Sequence, residues 1–296
     1  MKPVQFVDGW KSGEHMLNMG FTKIVSILSA VAVLSACQIL SPEERAEENL
    51  RGGKACVMCD LRYKSFTGMK LDGIDLRGAY LFNTNLERTS MIGADLESAV
   101  MILTDLERAD LTGANLAKAN LARAILFGAT LRGADLTVAN LQEANMEAVE
   151  LTHANLTTAN LSNAILTDAF ANSADMPSAE LKNANMVRAN LRAANLQGAN
   201  LAGADLTDAN LTLANLGSAN LKGANLTGAI LSYANLRGAD LTGAKLIGAT
   251  ITGANLKQAI FNKADLTDAA ISSVVKSGTD FCGAKMPGGL PGECKK

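Results

Sequence analysis

The chain has 296 residues, of which 48% are hydrophobic and only 4% aromatic, and its 27 basic and 29 acidic side chains leave a formal net charge of −2. This near-neutral balance excludes both the strongly basic surface of a nucleic-acid-binding protein and a strongly acidic surface. The scarcity of aromatic residues also leaves no stacking platform for nucleic-acid bases.

An apolar run from residue 24 to 33 follows Lys23 and leads into Leu34-Ser35-Ala36-Cys37. A basic start, an apolar stretch and small residues before a cleavage point are typical of a secretory signal, and the run is too short for a comfortable membrane span. The last four residues resemble a bacterial lipobox, in which the cysteine is lipidated and becomes the first mature residue. We therefore predict a signal peptide over residues 1–36 and lipidation of Cys37. Plain secretion after cleavage nearby is the alternative.

Two details refine this prediction. Asp8 and Glu14 fit poorly in the basic start of a signal peptide, so we expect translation to begin at Met19. Gln38, and not Asp, follows the cysteine, which in lipoproteins of Gram-negative bacteria usually implies a periplasm-facing location at the outer membrane. Removing residues 1–36 takes away three lysines and two acids, so the mature chain carries 24 basic and 27 acidic groups, a net charge of about −3.

Residues 37–55 form a charged spacer. Ser41-Pro42-Glu43-Glu44 has the form of a helix start, with Ser at the N-cap, Pro at the first helical position and Glu at the third, and Gly52-Gly53 would end that helix. We expect a short helix that caps the following domain. An amphipathic membrane helix is the weaker alternative, since the segment offers little apolar surface.

A strict period of five begins after the spacer. From Leu61 to Met286 every fifth residue is large and apolar in all but two of 46 positions, and 33 of these are Leu. The exceptions are Ala171 and Lys276. Two residues before each central position lies a small residue, usually Ala, and one residue before lies Asn or Asp. The unit is Ala-(Asn/Asp)-Leu-x-x.

A period of five matches neither an amphipathic helix nor a half-buried strand, so the chain must turn with the repeat. If each unit forms one side of a coil and four units close it, Leu and Ala point inward on every side and pack densely. Asn and Asp suit the adjacent position because they bond to nearby backbone groups. Each coil then buries its core only against its neighbours, as in a solenoid.

These residues resemble the pentapeptide repeat proteins. The resemblance covers about three quarters of the chain and implies an all-β fold, a right-handed quadrilateral parallel β-helix over residues 56–286 with about eleven coils. At about 4.8 Å per coil the rod would be roughly 50 Å long. The segment Phe281-Cys282-Gly283-Ala284-Lys285-Met286-Pro287, with Cys294 following, resembles the closing segment of bacterial members, and we expect residues 287–296 to form a C-terminal cap.

Four cysteines remain after Cys37: Cys56 and Cys59 at one end of the repeats, and Cys282 and Cys294 at the other. Because the pairs are separated by the rod, the four thiols cannot share one zinc ion. In an oxidising compartment they are candidates for two disulfides that stabilise the ends. The residues around Cys56 and Cys59 resemble the C-x-x-C-(D/N)-L start of bacterial family members. A redox-active C-x-x-C motif, reduced thiols and another pairing are the alternatives.

Residues twenty apart should stack on adjacent coils, which places Tyr80 beside Val100, Phe82 beside Ile102, and Leu103 next to them. This predicts an apolar interaction patch near the N-terminal end of the rod, for a partner protein or a second copy of the chain. Alternatively, the charged helix or a neighbouring loop covers it.

One irregularity lies inside the array. Ala171 occupies a central position, Phe170 precedes it and Pro177 follows soon after. We expect Phe170 to turn inward in place of the missing Leu and to produce a bulge or kink.

Material for catalysis is scarce. His153 is the only histidine of the mature chain, at an outward position, and coils of uniform length leave no room for a cleft. We therefore expect no enzyme activity, no cofactor and no metal site.

The sequence favours a lipid-anchored structural or protein-interaction rod of the bacterial envelope, with an unknown partner, and end-to-end homodimers would be blocked at the C-terminal cap. The family resemblance implies one alternative, a cytoplasmic DNA mimic that binds DNA gyrase. An exported effector is the other. Gyrase mimicry would need a strongly negative surface and access to the cytoplasm.

Overall fold

Each five-residue unit ends in a tight turn whose geometry explains the period. In the unit Ala94-Asp95-Leu96-Glu97-Ser98, Ser98 has a φ of 58°, and the N–H of Ala99 donates to the carbonyl of Leu96 at 3.0 Å. A positive φ at the third residue and a bond between the first and fourth residues are the features of a type II β-turn. Four such turns bring the chain back to the same face after twenty residues, one coil further along the β-helix.

The computed structural model describes residues 41–294. It contains α1 (Pro42–Arg51), a parallel β-helix and a short 3₁₀ helix (Pro287–Gly289). The strands of the β-helix are single-residue bridges at every fifth position, each paired in parallel with the residue twenty further on, from Asp60 with Tyr80 to Asp265 with Lys285. The predicted right-handed four-sided β-helix is confirmed.

We number the four faces by the four inward central residues of the second coil. Each face then includes every twentieth residue before and after that residue. Face 1 carries Leu81, face 2 Leu86, face 3 Met91 and face 4 Leu96.

Every backbone N–H of the unit Ala94–Ser98 and its following turn has a partner. Leu96 and Ser98 donate to carbonyls of the next coil at 2.7 and 2.9 Å, and Asp95 donates to the previous coil at 2.8 Å. The remaining N–H, that of the first turn residue Glu97, donates to the Asp95 side-chain oxygen at 3.2 Å. Asn or Asp therefore recurs because its side chain accepts the one N–H that neither the turn nor the inter-coil bonds use.

The core consists of the central residues and the small residues of all four faces. From Leu76 to Leu266 every central residue is at most 2% exposed, and α1 adds Ala46 and Leu50 to the same cluster. Large and small side chains alternate along the chain, so the narrow interior is filled at high density.

The irregular unit at residues 170–177 does not interrupt this arrangement, and the expected inward Phe170 was wrong. Phe170 is 48% exposed and Ala171 itself points inward at 2%. Both backbone groups keep their inter-coil bonds, at 2.9 and 2.8 Å. Pro177 is tolerated because it is a first turn residue, whose N–H takes no part in the bonds between coils. No bulge forms because the backbone ladder does not depend on the size of the central side chain.

The chain reverses direction at the C-terminal end. Lys285 pairs with Pro291 in antiparallel orientation, and Gly292 donates to the carbonyl of Ala284 at 2.7 Å. Phe281 stacks on Phe261, with 5.0 Å between the ring centroids. The final segment thereby covers part of the last coil.

The repeated positive φ predicts an unusual stabilising substitution. Val138 has a φ of 60° and is 54% exposed, so a β-branched side chain occupies a strained conformation without much burial. We expect Val138→Gly to raise the free energy of unfolding by about 0.5–1 kcal/mol, because relief of about 1–2 kcal/mol of strain exceeds the entropic cost of glycine. Chemical denaturation measures the difference.

The matched control is Val100→Gly, the same change at a strand position. Val100 donates its N–H to Ala79 at 2.9 Å and is half-buried. This variant should lose about 1 kcal/mol, because glycine weakens a strand and removes apolar contact. A loss of stability in both variants would contradict the strain at Val138.

Candidate functional site: an apolar patch on face 1

The register of the coils brings the predicted interaction residues onto one face. Tyr80 bridges to Val100 in the next coil. Phe82 and Ile102 occupy the equivalent first turn positions of the same two coils, and Leu103 is the adjacent second turn residue with a φ of 58°. All five residues therefore lie together on face 1, because the side chains at strand and turn positions point away from the filled core.

The exposure of this group is graded. Tyr80 is 44% exposed, whereas Phe82, Val100, Ile102 and Leu103 are half-buried. Half-buried side chains present one apolar surface while their stems pack on neighbouring coils. Tyr80 is thus the most accessible of the predicted residues.

Sequence reasoning missed Tyr63. Tyr63 is 68% exposed, and its ring meets that of Phe82 edge to face, with 5.5 Å between the centroids. The signal in the sequence was the twenty-residue spacing between Tyr63 and Asn83. It places Tyr63 one coil before Asn83, which directly follows Phe82 in the chain. We call Tyr63, Tyr80, Phe82, Val100, Ile102 and Leu103 the aromatic patch.

An ion pair borders the aromatic patch on its N-terminal side. Arg62 donates to both carboxylate oxygens of Asp60, through Nε at 2.8 Å and through Nη2 at 2.5 Å. These hydrogen bonds lower the pKa of Asp60 below its usual value. Because the pair is mutually satisfied, it adds a polar rim without a net charge.

Helix α1 contacts the first coil through Lys64, Ser65 and Phe66, which directly follow Tyr63 in the chain. Glu47 pairs with Lys64 at 3.1 Å. Arg51 donates to the carbonyl of Ser65 at 3.2 Å and lies over the Phe66 ring, 5.5 Å from its centroid. Tyr80 is therefore left accessible by this helix and by the rest of residues 41–294.

Two buried threonines lie beneath the aromatic patch, at positions where alanine is usual. Thr84 donates its hydroxyl to the carbonyl of Leu61 at 2.8 Å, and Thr104 donates to that of Leu81 at 2.7 Å. A buried hydroxyl needs such a partner. These bonds link successive coils directly below the patch.

The cysteines are paired at the two ends of the β-helix. Cys56 takes the place of a central residue and Cys59 that of a small residue three positions on, with Cα atoms 5.3 Å apart, and the two form a disulfide. That separation suits a disulfide because both side chains point into the same turn. At the other end, Cys282 is bonded to Cys294 of the final segment.

His153 is exposed at a second turn position. Within residues 41–294, no three His, Cys, Asp or Glu side chains are grouped to hold a metal ion.

No helix in the same range is long and apolar enough to cross a membrane. Met19 and Cys37 lie outside the described residues.

Comparison with known proteins defines the family. The family model described as "Pentapeptide repeats" matches repeatedly between residues 59 and 288. No curated protein matches the chain closely enough to count as a relative.

Solved structures with the same repeat also match. HetL, a pentapeptide repeat protein involved in heterocyst differentiation regulation from Nostoc sp. strain PCC 7120, is 31% identical, with 85% of this chain and 99% of HetL covered and a TM-score of 0.35. A pentapeptide repeat protein of the Arabidopsis thaliana thylakoid lumen is 35% identical over 34% of this chain and 66% of its own, with a TM-score of 0.29. QnrB1, a plasmid-mediated fluoroquinolone resistance protein, is 18% identical over 73% of this chain and 91% of its own, with a TM-score of 0.31. With the family model matching along nearly the whole β-helix, the chain belongs to the pentapeptide repeat family.

Proposed function

We propose that this protein is a non-catalytic interaction rod, anchored in the bacterial cell envelope by a lipid on Cys37, that binds a partner protein through the aromatic patch. The observation that carries this proposal is the exposure of Tyr63 and Tyr80, at 68% and 44%, on a rod whose central residues are committed to the core. Aromatic residues that remain accessible in a contiguous apolar area are typical of protein interfaces.

The cysteine chemistry supports an envelope location. Two disulfides at the ends of the β-helix suit an oxidising compartment such as the periplasm. Only four residues separate Cys37 from Pro42, the first residue of α1. An extended chain spans at most about 3.6 Å per residue, so a lipid on Cys37 would hold the first coils, and with them the aromatic patch, close to the membrane.

The charge distribution favours this role over gyrase mimicry. Of the twelve ion pairs in residues 41–294, several lie within a single coil, such as Arg77 with Asp75 at 2.7 Å and Arg88 with Glu87 at 3.3 Å. Basic and acidic groups therefore alternate over the surface and do not build the continuous negative field that a DNA mimic requires.

Metabolic labelling with an alkyne fatty acid tests the anchor. The wild-type protein should carry the label and sediment with membranes, and Cys37→Ala should lose both properties completely, because the thiol is the proposed attachment point. Cys56→Ala is the matched control, since it also removes one cysteine but should leave label and sedimentation intact.

An unlabelled, unprocessed and soluble wild-type protein would exclude the envelope proposal, and DNA gyrase would then be the first partner to test. Release of the processed, unlabelled protein into the medium would instead favour an exported effector.

A further inference from the structure

A polar depression lies on face 4, far along the chain from the aromatic patch. It has a volume of about 330 Å³ and an open mouth, and we call it the amide notch. The side chains that surround it are those of Gln197, Asn215, Ser218, Asn235, Arg237 and Gln258. Its volume lies at the lower end of the range for small-molecule sites, about 300–1,000 Å³.

The amide notch exists because Gly217 has no side chain. The equivalent first turn residues of the neighbouring coils are Gln197 and Arg237, which form its two walls. Gly217 is absent from the residues with positive φ, so its backbone conformation does not require glycine. A Cβ at this position would lie 3.2 Å from the side-chain oxygen of Asn215 and 3.4 Å from the amide nitrogen of Asn235, so a side chain here would enter the notch directly above its floor. The gap is therefore not a by-product of the turn geometry.

The floor of the amide notch presents hydrogen-bond donors. The Asn215 side-chain oxygen accepts from the N–H of Gly217 at 3.2 Å and from the Asn235 amide at 2.9 Å, while its own amide donates to Asn195 at 3.1 Å. An amide nitrogen has two hydrogens, and the ladder between coils uses one. Asn215 and Asn235 therefore each have one side-chain N–H that forms no hydrogen bond within residues 41–294, and both oxygen lone pairs of Asn215 are occupied.

The wall residue Arg237 is an available cation. Its guanidinium forms none of the ion pairs found among residues 41–294, in contrast to Arg62, Arg77 and Arg188. The outward positions of face 4 from Asn195 to Gln258 hold no carboxylate, and Lys257 adds a second positive charge. The surroundings of Arg237 therefore favour an anion.

These features select a class of ligand. Unpaired guanidinium and amide N–H groups favour a carboxylate, and the Gln197 and Gln258 amides, which both donate and accept, suit neighbouring hydroxyl groups. No aromatic side chain lines the amide notch and could stack on a sugar ring. The positive charge of Arg237 therefore has to supply the selectivity for an acidic ligand. We propose that the amide notch binds one carboxylate-bearing sugar unit of an acidic glycan, with Arg237 holding the carboxylate. This site is independent of the lipid anchor and of the aromatic patch.

Titration of the purified full-length protein with tetragalacturonate, followed by calorimetry, tests this assignment. We expect saturable binding that Arg237→Gln weakens at least about tenfold, since a charge-assisted hydrogen bond is lost. Gly217→Gln should produce a similar loss by filling the amide notch. Arg237→Gln changes only an exposed side chain, so its result does not depend on how well the glycine variant folds.

Arg192→Gln is the matched control, because Arg192 is exposed at a first turn position of face 3 and also forms none of the ion pairs found among residues 41–294. Its affinity for tetragalacturonate should equal that of the wild type. Three results would each overturn the proposal: no binding of tetragalacturonate, equal binding of a neutral galactose tetramer, or equal loss in Arg192→Gln. Inorganic phosphate competing as tightly as the tetramer would show a general anion site and would also overturn the saccharide assignment.

Discussion

Truncating an inward leucine in the middle of the β-helix should cost several kilocalories per mole, whereas truncating an outward leucine two residues away should cost almost nothing. Leu211 is 0% exposed and Leu213 is 49% exposed on the same face. We expect Leu211→Ala to lower the free energy of unfolding by about 2–5 kcal/mol, because the narrow interior cannot collapse around the cavity. Leu213→Ala should stay within about 0.5 kcal/mol of the wild type.

Chemical denaturation followed by circular dichroism measures both variants. The pair is well matched, since each change removes the same atoms and only the direction of the side chain differs. Because long repeat arrays can unfold in several steps, the comparison requires that the slope of the transition be unchanged. Equal destabilisation by both substitutions would contradict the inward and outward assignment of the positions.

The aromatic patch should be in contact with its partner in intact cells. A photo-crosslinking benzoylphenylalanine placed at Tyr80 should give a discrete covalent adduct in intact cells that produce the protein. The same residue at Tyr233 should give none. Both tyrosines are exposed, at 44% and 64%, but Tyr233 is a second turn residue of face 3 outside the patch. The contrast therefore reports on location and not on the accessibility of a tyrosine.

The mass of the adduct identifies what occupies the aromatic patch. An adduct of twice the protein's own mass would show a homodimer joined through face 1, and a different mass would show a partner protein, whose identity mass spectrometry of the adduct would establish. Adducts of equal yield from Tyr80 and Tyr233, or from neither, would contradict a docking function for the patch. Phe82→Ser combined with the Tyr80 probe should reduce the yield, because interfaces depend on a few buried aromatic contacts.

Much of the architecture could be predicted because the period of five is both local and strict. Leucine and alanine mark the inward positions directly, and the twenty-residue spacing places Tyr80 against Val100 without further information. The same spacing arithmetic could have found Tyr63, but its contact with Phe82 runs diagonally between coils and depends on the orientation of both rings.

The irregular positions were harder to predict. Phe170 was expected inside because its central neighbour is only an alanine, yet it is 48% exposed. The backbone hydrogen bonds to the coils on either side keep this strand position in register. They fix the outward direction of Phe170 more strongly than the small size of Ala171 could change it. A sequence pattern shows which residue is unusual. The direction of its side chain is decided by backbone hydrogen bonds to neighbouring coils, twenty residues away in the chain.

The sequence by itself determined the repeat, the four-sided coil, the burial of leucine and alanine and the grouping of the five predicted patch residues, because each follows from a regular short-range pattern. Only the tertiary structure decided which of those residues are accessible, that α1 contacts Lys64 and Phe66 and leaves Tyr80 open, and that Gly217 leaves a depression beside an unpaired arginine. These features depend on how side chains from several coils fill or leave space on one face. That arrangement is a three-dimensional property which the period of five does not specify.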